Sequence, residues 1–447
     1  MSDLLDEASR RARQYLATLD ARAVAPSPQA LAALARFDGP LPEHTSSAME
    51  VLAELDEFGS PATMASAGGR FFGFVIGGSL PVTVAASWLA SAWDQNGGLV
   101  VSSPINARLE EVALDWVKGL FQLPADSAGG FVTSATAANF CALAAARHAL
   151  LERAGWDVEA QGLFGAPPIT VVVGEEVHAS VQKALSMAGL GRERVVSVPC
   201  DAQGRMRLEE LPAVTERTIV CVQAGNVNSG AFDPVAGICR RAREQGAWVH
   251  VDGAFGLWAA AAPARAHLAR GTEEADSWAT DAHKWLNVPY DSGLVFTRDA
   301  GALRAAMAVG GAYLAQAEDR IPYQYTPDFS RRARGIEVWA ALRQLGRAGL
   351  ADLIERTCRF AERFAQGLAQ SGHRILNEVV LNQVLVSFGN AERTREVIAR
   401  VQSDGTCWCG GTLWQGHTAM RISVSSWATT EADVDRSLAA ILRAAEG

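Results

Sequence analysis

The chain has 447 residues, 49% of them hydrophobic and 20% charged, with a formal net charge of -9. That length and apolar content bury a large core in more than one domain and exclude a mostly disordered protein. The acidic balance without a basic stripe argues against a nucleic-acid binder, and no apolar run approaches the ~20 residues that span a bilayer.

The opening stretch, MSDLLDEASRRARQYLATLD, mixes acids and bases and lacks the apolar centre of a signal peptide. It predicts an amphipathic helix and a cytoplasmic protein. Residues 1–78 read as an N-terminal helical segment, 79–338 as a large domain and 339–447 as a small one.

From about Gly129 to Thr297, short apolar runs alternate with helical stretches. The strand candidates are GGFVT, PITVVVG, VVSVP, TIVCVQA, AWVHVD, SWATD and SGLVFT. Between them lie the Ala-rich ATAANFCALAAARHALLERAG, a helix from His178 and a helix starting near Asp233-Pro234. This order predicts an α/β domain with a largely parallel sheet covered on both faces. Ligands of such sheets sit at the carboxyl ends of the strands.

The next segment, AEDRIPYQYTPDFSRRARG, is polar and contains prolines, so it reads as an exposed loop free to move. After Trp339 come the long helix GLADLIERTCRFAERFAQGLAQSG, the strand QVLVSF, a helix, the strand TAMRISVS and a last helix after Thr430. They compose a small α+β domain. Of seven scattered cysteines, only Cys407 and Cys409 are close together, in CWC. With no second ligand pair beside them, no metal is expected, and the cysteines read as reduced thiols in a packed domain.

Four features fall at strand ends. Thr133, Ser134 and Thr136 supply hydroxyls where a strand enters a helix with free N–H groups, a cradle suited to phosphate. His178 opens a helix, where a flat imidazole can stack on a ring. Asp252 closes AWVHVD, and a buried acid needs a cationic partner. The protonated nitrogen of a pyridine ring is such a partner, and holding it protonated makes the ring an electron sink. Lys284, in TDAHKW, follows a strand as a nucleophilic lysine would. Each has a plainer structural reading: caps for Ser134 and His178, an ion pair for Asp252, a solvated surface group for Lys284. Their conjunction in this order points to pyridoxal 5'-phosphate joined to Lys284 as a Schiff base.

With these residues, most of the chain resembles the group II pyridoxal-phosphate-dependent decarboxylases, the family of the aromatic-amino-acid and glutamate decarboxylases. GGRFFGF, around Phe71 and Phe72, is similar to the family's RFF or YFF motif, and SSPINARLEEVALDWV to the segment before its cradle. Thr133, Ser134 and Ala135 match its TS-A/G turn, His178 its ring-stacking histidine, and HVDGAFG its HVDAA region. His283, Lys284 and Trp285 match its HKW, and MRISVSSW its C-terminal segment. The resemblance implies the aspartate-aminotransferase fold (fold type I) and a homodimer whose active site draws on two chains. It implies that Asp252 holds the ring nitrogen, that Ala254 packs on the ring and that Arg421 lies near the substrate carboxylate. Read from the residues alone, Arg421 is equally a structural ion-pair partner.

The chain departs from that pattern in three places. Asp281 stands where the family commonly has asparagine, and an acid beside a phosphate repels it. Gly225-Asn226-Val227 replaces GTT, leaving Asn226 as the candidate donor to the ring hydroxyl. The loop that carries the family's catalytic tyrosine offers both Tyr323 and Tyr325. The expected reaction is α-decarboxylation of an L-amino acid, with Tyr323, Tyr325 or His283 returning a proton to Cα. Phe71 and Phe72 suggest an aromatic or apolar side chain. An aldehyde synthase, an aminotransferase and a cofactor-binding protein without turnover are the alternatives.

Overall fold

The computed structural model describes residues 2–309 and 320–446. Its larger sheet contains β1 (Ala128–Val132), β2 (Thr170–Gly174), β3 (Val195–Val198), β4 (Thr218–Gln223), β5 (Trp248–Asp252), β6 (Ser277–Asp281) and β7 (Gly293–Thr297). They lie side by side in the order β1-β7-β6-β5-β4-β2-β3. Strands β2 to β6 are parallel, and β7 runs antiparallel between β1 and β6. Each predicted strand is present, and the central ones are buried along their whole length because both faces are covered.

On one face, the helix Ala135–Arg153 lies across β5, β6 and β7, its alanines allowing a close approach. On the other, Trp258, Trp278 and Trp285 are fully buried. The indole Nε1 of Trp285 donates to Thr357 Oγ1 at 2.9 Å, which fixes the residue after Lys284 to the helix Gly335–Gln370. That helix kinks at Gly346 and crosses the expected boundary at 338/339. Its first half packs in the large core, and Ala361, Phe364 and Leu368 pack in the small one.

The small sheet consists of β8 (Arg374–Ile375), β9 (Gln383–Ser387), β10 (Gly410–Trp414) and β11 (His417–Ser423), antiparallel in the order β10-β11-β9-β8. Sequence reasoning found β9 and β11 but missed β10, a half-exposed edge strand opening with two glycines. Cys407 and Cys409 point into the small core.

The expectation of an exposed loop before the long helix holds for residues 327–330 and is corrected for the rest of its described part. Residues 317–319 of that segment lie outside the described residues. Beyond them, Ile321, Pro322, Tyr323, Thr326, Arg331 and Ala333 are buried, and Pro322–Tyr325 forms a 3-10 turn. Its charges serve a buried carboxylate instead of solvent. Glu110 receives Arg331 Nη2 at 2.8 Å, and Arg320 Nη1 stands 3.5 Å away. The same two arginines donate to Gly129 O and Phe131 O of β1 at 2.7 and 3.0 Å, covering an edge that would otherwise offer free carbonyls.

Candidate active site

Three strand ends converge on one point. Register pairs Gly293, the first residue of β7, with both Val132 and Asp281, the last residues of β1 and β6. A Cβ on Gly293 would come within 2.7 Å of Ser134 Cα, so only glycine lets the Thr133–Ala135 turn lie against β7. Ser134 caps the helix Ala135–Arg153, its Oγ accepting from Ala137 N at 3.5 Å. The capping reading of Ser134 therefore holds. The positive end of this helix lies at the point of convergence, with Ala135 N taken by Asp281 and Ala137 N by Ser134.

Lys284 sits one short step past β6. Its Nζ is 3.0 Å from Asp281 Oδ2, while Asp281 Oδ1 accepts from Ala135 N at 2.5 Å. Beside it, His283 accepts from Ser292 N through Nδ1 at 3.1 Å, and its ring stacks on Tyr290 with centroids 4.2 Å apart. Burial lowers the pKa of His283, outweighing the opposing pull of Asp281, and favours the neutral ring. Its Nε2 lies 3.6 Å from Asp281 Oδ2.

Asp252, at the end of β5, is buried and has no cationic side chain within ion-pair distance among the described residues. Its Oδ1 accepts from Ala254 N at 3.2 Å, and its Oδ2 receives Ser180 Oγ at 3.3 Å and Asn139 Nδ2 at 3.4 Å. Behind Asn139 runs a directed relay. Trp248 Nε1 donates to Ser277 Oγ at 2.9 Å. Ser277 meets His250 Nδ1 at 2.9 Å, and His250 Nε2 meets Asn139 Oδ1 at 2.8 Å. Full burial pushes His250 down to about 4, so its ring is neutral and carries one proton. Because Asn139 Oδ1 only accepts, that proton is assigned to Nε2, and every donor in the relay points toward Asp252.

Cutting this relay tests whether it positions Asp252. Asn139→Ala leaves the buried His250 N–H without a partner and takes one of two donors from Asp252 Oδ2, which keeps Ser180 Oγ, a loss of about 1–3 kcal/mol. It should weaken cofactor binding by roughly tenfold, checked by fluorescence titration. An unchanged dissociation constant would make the relay purely structural.

His178 caps the helix Ala179–Met187, its Nδ1 accepting from Ser180 N at 3.2 Å. Burial pulls its pKa down, with Asp252, Lys284, Arg421 and Asp281 among the charges that bear on it. Arg421, on β11, donates to Asn228 Oδ1 at 3.3 Å and has no carboxylate within ion-pair distance among the described residues. Desolvation lowers its pKa. Asn226 is buried, its Oδ1 accepting from Asn228 N and Ser229 N at 2.8 and 3.2 Å while its Nδ2 has no partner among the described residues.

The two phenylalanines part company. The ring of Phe72 packs edge-on against Phe364 in the small core, so it is a packing group and not a pocket wall. The ring of Phe71 stacks on Trp408 at 5.1 Å, and Trp408 also stacks on the exposed Phe74 at 5.4 Å. This segment then passes directly over Lys284: a Cβ on Gly77 would lie 1.9 Å from the Lys284 carbonyl oxygen. Tyr323 stacks on Phe329 at 4.7 Å, and Arg320 covers the ring of Tyr325 at 4.7 Å. Both tyrosines lie along the β1 side, and within the described residues neither has a hydrogen bond or ring contact with Lys284, Asp252 or His178. Sequence reasoning missed Asn139, Ser180, His250, Asn228, Tyr290 and Trp408. The signal for His250 was at hand in HVDGAFG, two residues before Asp252 on the same strand face.

The donor set fits pyridoxal 5'-phosphate. A carboxylate without a cation suits a protonated ring nitrogen, a capped helix end suits a phosphate, and an amine stands beside both. The profile of the pyridoxal-dependent decarboxylase conserved domain matches residues 31–389. Tryptophan decarboxylase 1 of Oryza sativa subsp. japonica is 28% identical over 397 residues, covering 80% of this chain and 76% of that protein. The 4-hydroxyphenylacetaldehyde synthase of Rhodiola rosea is 26% identical, covering 94% and 90%. Among solved structures, the fold matches that of Oryza sativa TDC with PLP and tryptamine at a TM-score of 0.92, with 23% identity and 100% and 97% of the two chains covered. Mouse CSAD matches at 0.90, with 20% identity and 99% and 98% covered. The chain therefore belongs to the pyridoxal-dependent decarboxylase family, carboxy-lyases of the aspartate-aminotransferase fold that act on amino acids with pyridoxal 5'-phosphate.

Proposed function

We propose that this enzyme releases CO2 from an L-amino acid with an aromatic or apolar side chain and leaves the amine. The observation that supports the reading is Arg421, a desolvated guanidinium whose charge bears on His178 and which has no carboxylate within ion-pair distance among the described residues, so a substrate carboxylate would supply its partner. The relatives named for tryptophan decarboxylation, and others named for tyrosine and DOPA, support an aromatic side chain. So does the Phe71–Trp408–Phe74 stack.

When bound, pyridoxal 5'-phosphate supplies an aldehyde that joins Lys284 or the substrate amine, and a cationic ring that accepts electrons as CO2 leaves. The Thr133–Ala135 turn would hold the phosphate, Asp252 the ring nitrogen, and Asn226 the ring hydroxyl. His178 and Ala254 would flank the ring. Arg421 orients the substrate carboxylate, and His283 is in reach of Lys284 to move a proton. Lys284 would supply the amine that holds the cofactor between turnovers.

A second reading, oxidative conversion to an aldehyde, is favoured by the similarity to the aldehyde synthase over most of both chains. One experiment separates them: a panel of aromatic, apolar and acidic L-amino acids with mass-spectrometric product detection. CO2 with amine is expected. Aldehyde with ammonia and peroxide supports the second reading, and dependence on a keto acid would make the enzyme an aminotransferase.

The same assay locates the proton donor. Of the five tyrosines, Tyr313 lies outside the described residues, and among those described Tyr290 is the one whose ring meets a site group. In the set Tyr290→Phe, Tyr313→Phe, Tyr323→Phe and Tyr325→Phe, at least one variant should keep the cofactor but lose amine by about a hundredfold or divert to aldehyde. Normal amine formation by all four would leave His283 as the donor.

The proposal extends to a cytoplasmic homodimer with the divisions 1–78, 79–338 and 339–447. Among the described residues no helix is long and apolar enough to cross a membrane. Phe74, Trp88, Leu89, Trp93 and Val101 are exposed apolar side chains that a second copy would cover. Light scattering on the active enzyme should give twice the chain mass, and an active monomer would end this part of the proposal.

A further inference from the structure

Asp281 is one of the points at which this chain leaves its family's pattern, and its surroundings give it a task. The side chain is 2% exposed, and both oxygens are committed. Oδ1 accepts from Ala135 N at 2.5 Å, one of the amides of the phosphate cradle. Oδ2 is 3.0 Å from Lys284 Nζ and 3.6 Å from His283 Nε2. An asparagine in this place could accept from Ala135 N equally well, but it would set no charge against the lysine. The other ionisable groups around the pair are Asp252 from β5, His178 from its helix start, Arg421 from β11, and Tyr290 from the turn after Lys284. The Tyr290 phenol is pushed up to about 12 by burial and then by the charge of Asp281.

Resting on the decarboxylase reading, we propose that Asp281 is a positioning residue that serves as counter-ion to the reactive nitrogen of Lys284 and shares the Ala135 amide with the cofactor phosphate. Two anions then compete for one cradle. The phosphate gains less from the helix end here than it would beside an asparagine, because a like charge occupies the nearest donor. In exchange, positive charge on the Lys284 nitrogen gains an opposite charge 3.0 Å away.

The experiment uses the cofactor-loaded enzyme and the variants Asp281→Asn and Asp281→Ser, the second keeping the result independent of the asparagine amide. Two quantities are read. The first is the pH midpoint of the visible absorption of the bound cofactor, which should fall by about one pH unit or more in both variants, a tenfold change. The second is the preference for pyridoxal 5'-phosphate over unphosphorylated pyridoxal, taken from their dissociation constants, which should rise by roughly tenfold. A purely structural Asp281 would move neither in these directions. Either quantity staying in place, or moving the other way, overturns the inference. If the unaltered enzyme forms no visible band, or borohydride reduction fixes the pyridoxyl group on another lysine, the decarboxylase reading itself fails and this inference falls with it.

Discussion

Lys284→Ala should abolish covalent attachment of pyridoxal 5'-phosphate and lower CO2 release by about 10³-fold, the scale of losing a positioned nucleophilic or proton-transferring group. Lys284 is the lysine at the meeting point of β1, β6 and β7, beside the cradle and within reach of Asp281. The phosphate and ring contacts do not require its amine, so the variant should still bind cofactor reversibly, without the colour of the attached form. Borohydride reduction followed by mass spectrometry checks the assignment: the pyridoxyl group should appear on Lys284 in the unaltered enzyme and on no residue in the variant. Labelling of another lysine would displace Lys284 from the centre of the site.

Arg421→Met should lower kcat/KM by roughly a hundredfold, about 3 kcal/mol, while the visible spectrum of the bound cofactor stays normal. The expectation follows from what surrounds the guanidinium. Its hydrogen-bond partner is a neutral amide, Asn228 Oδ1, which Thr412 Oγ1 also uses at 3.0 Å. An ion pair internal to the small domain, the competing explanation for an arginine in an apolar strand, is absent among the described residues. Stability gives a second readout. Removing a desolvated cation with no anionic partner should leave the melting temperature unchanged or raise it, whereas breaking a structural pair would lower it. Unchanged kinetics would take Arg421 out of the site.

The two large effects rest on residues whose positions were legible to different degrees. Lys284, Asp252, His178 and the Thr133–Ala135 turn each follow a short apolar run, and in a parallel sheet the residue after such a run is at the ligand-binding edge. Local sequence was therefore enough to place them near one another, and enough to lay out the seven strands of the main sheet. It was also enough for the family, because the spacing of these residues is carried along a single stretch of chain.

Tertiary structure decided what depends on contacts between distant segments. The polar stretch before the long helix reads as loop because its composition is charged, yet Arg320 and Arg331 turn inward to meet Glu110, which lies more than 200 residues earlier. Phe71 and Phe72 are indistinguishable in sequence, and only the packing of Phe364 and Trp408 sends one ring to the core and the other to an aromatic stack. Tyr323 and Tyr325 stand where a catalytic loop was expected, but their rings go to Phe329 and Arg320. Asp281 looked like a liability beside a phosphate until the fold brought Lys284 Nζ and Ala135 N to its two oxygens. The sequence by itself determined the elements and the chemistry at their ends, because strand and cap signals are local. Which charges meet and which rings stack was decided by the folded structure, because a partner across the chain leaves no mark on neighbouring residues.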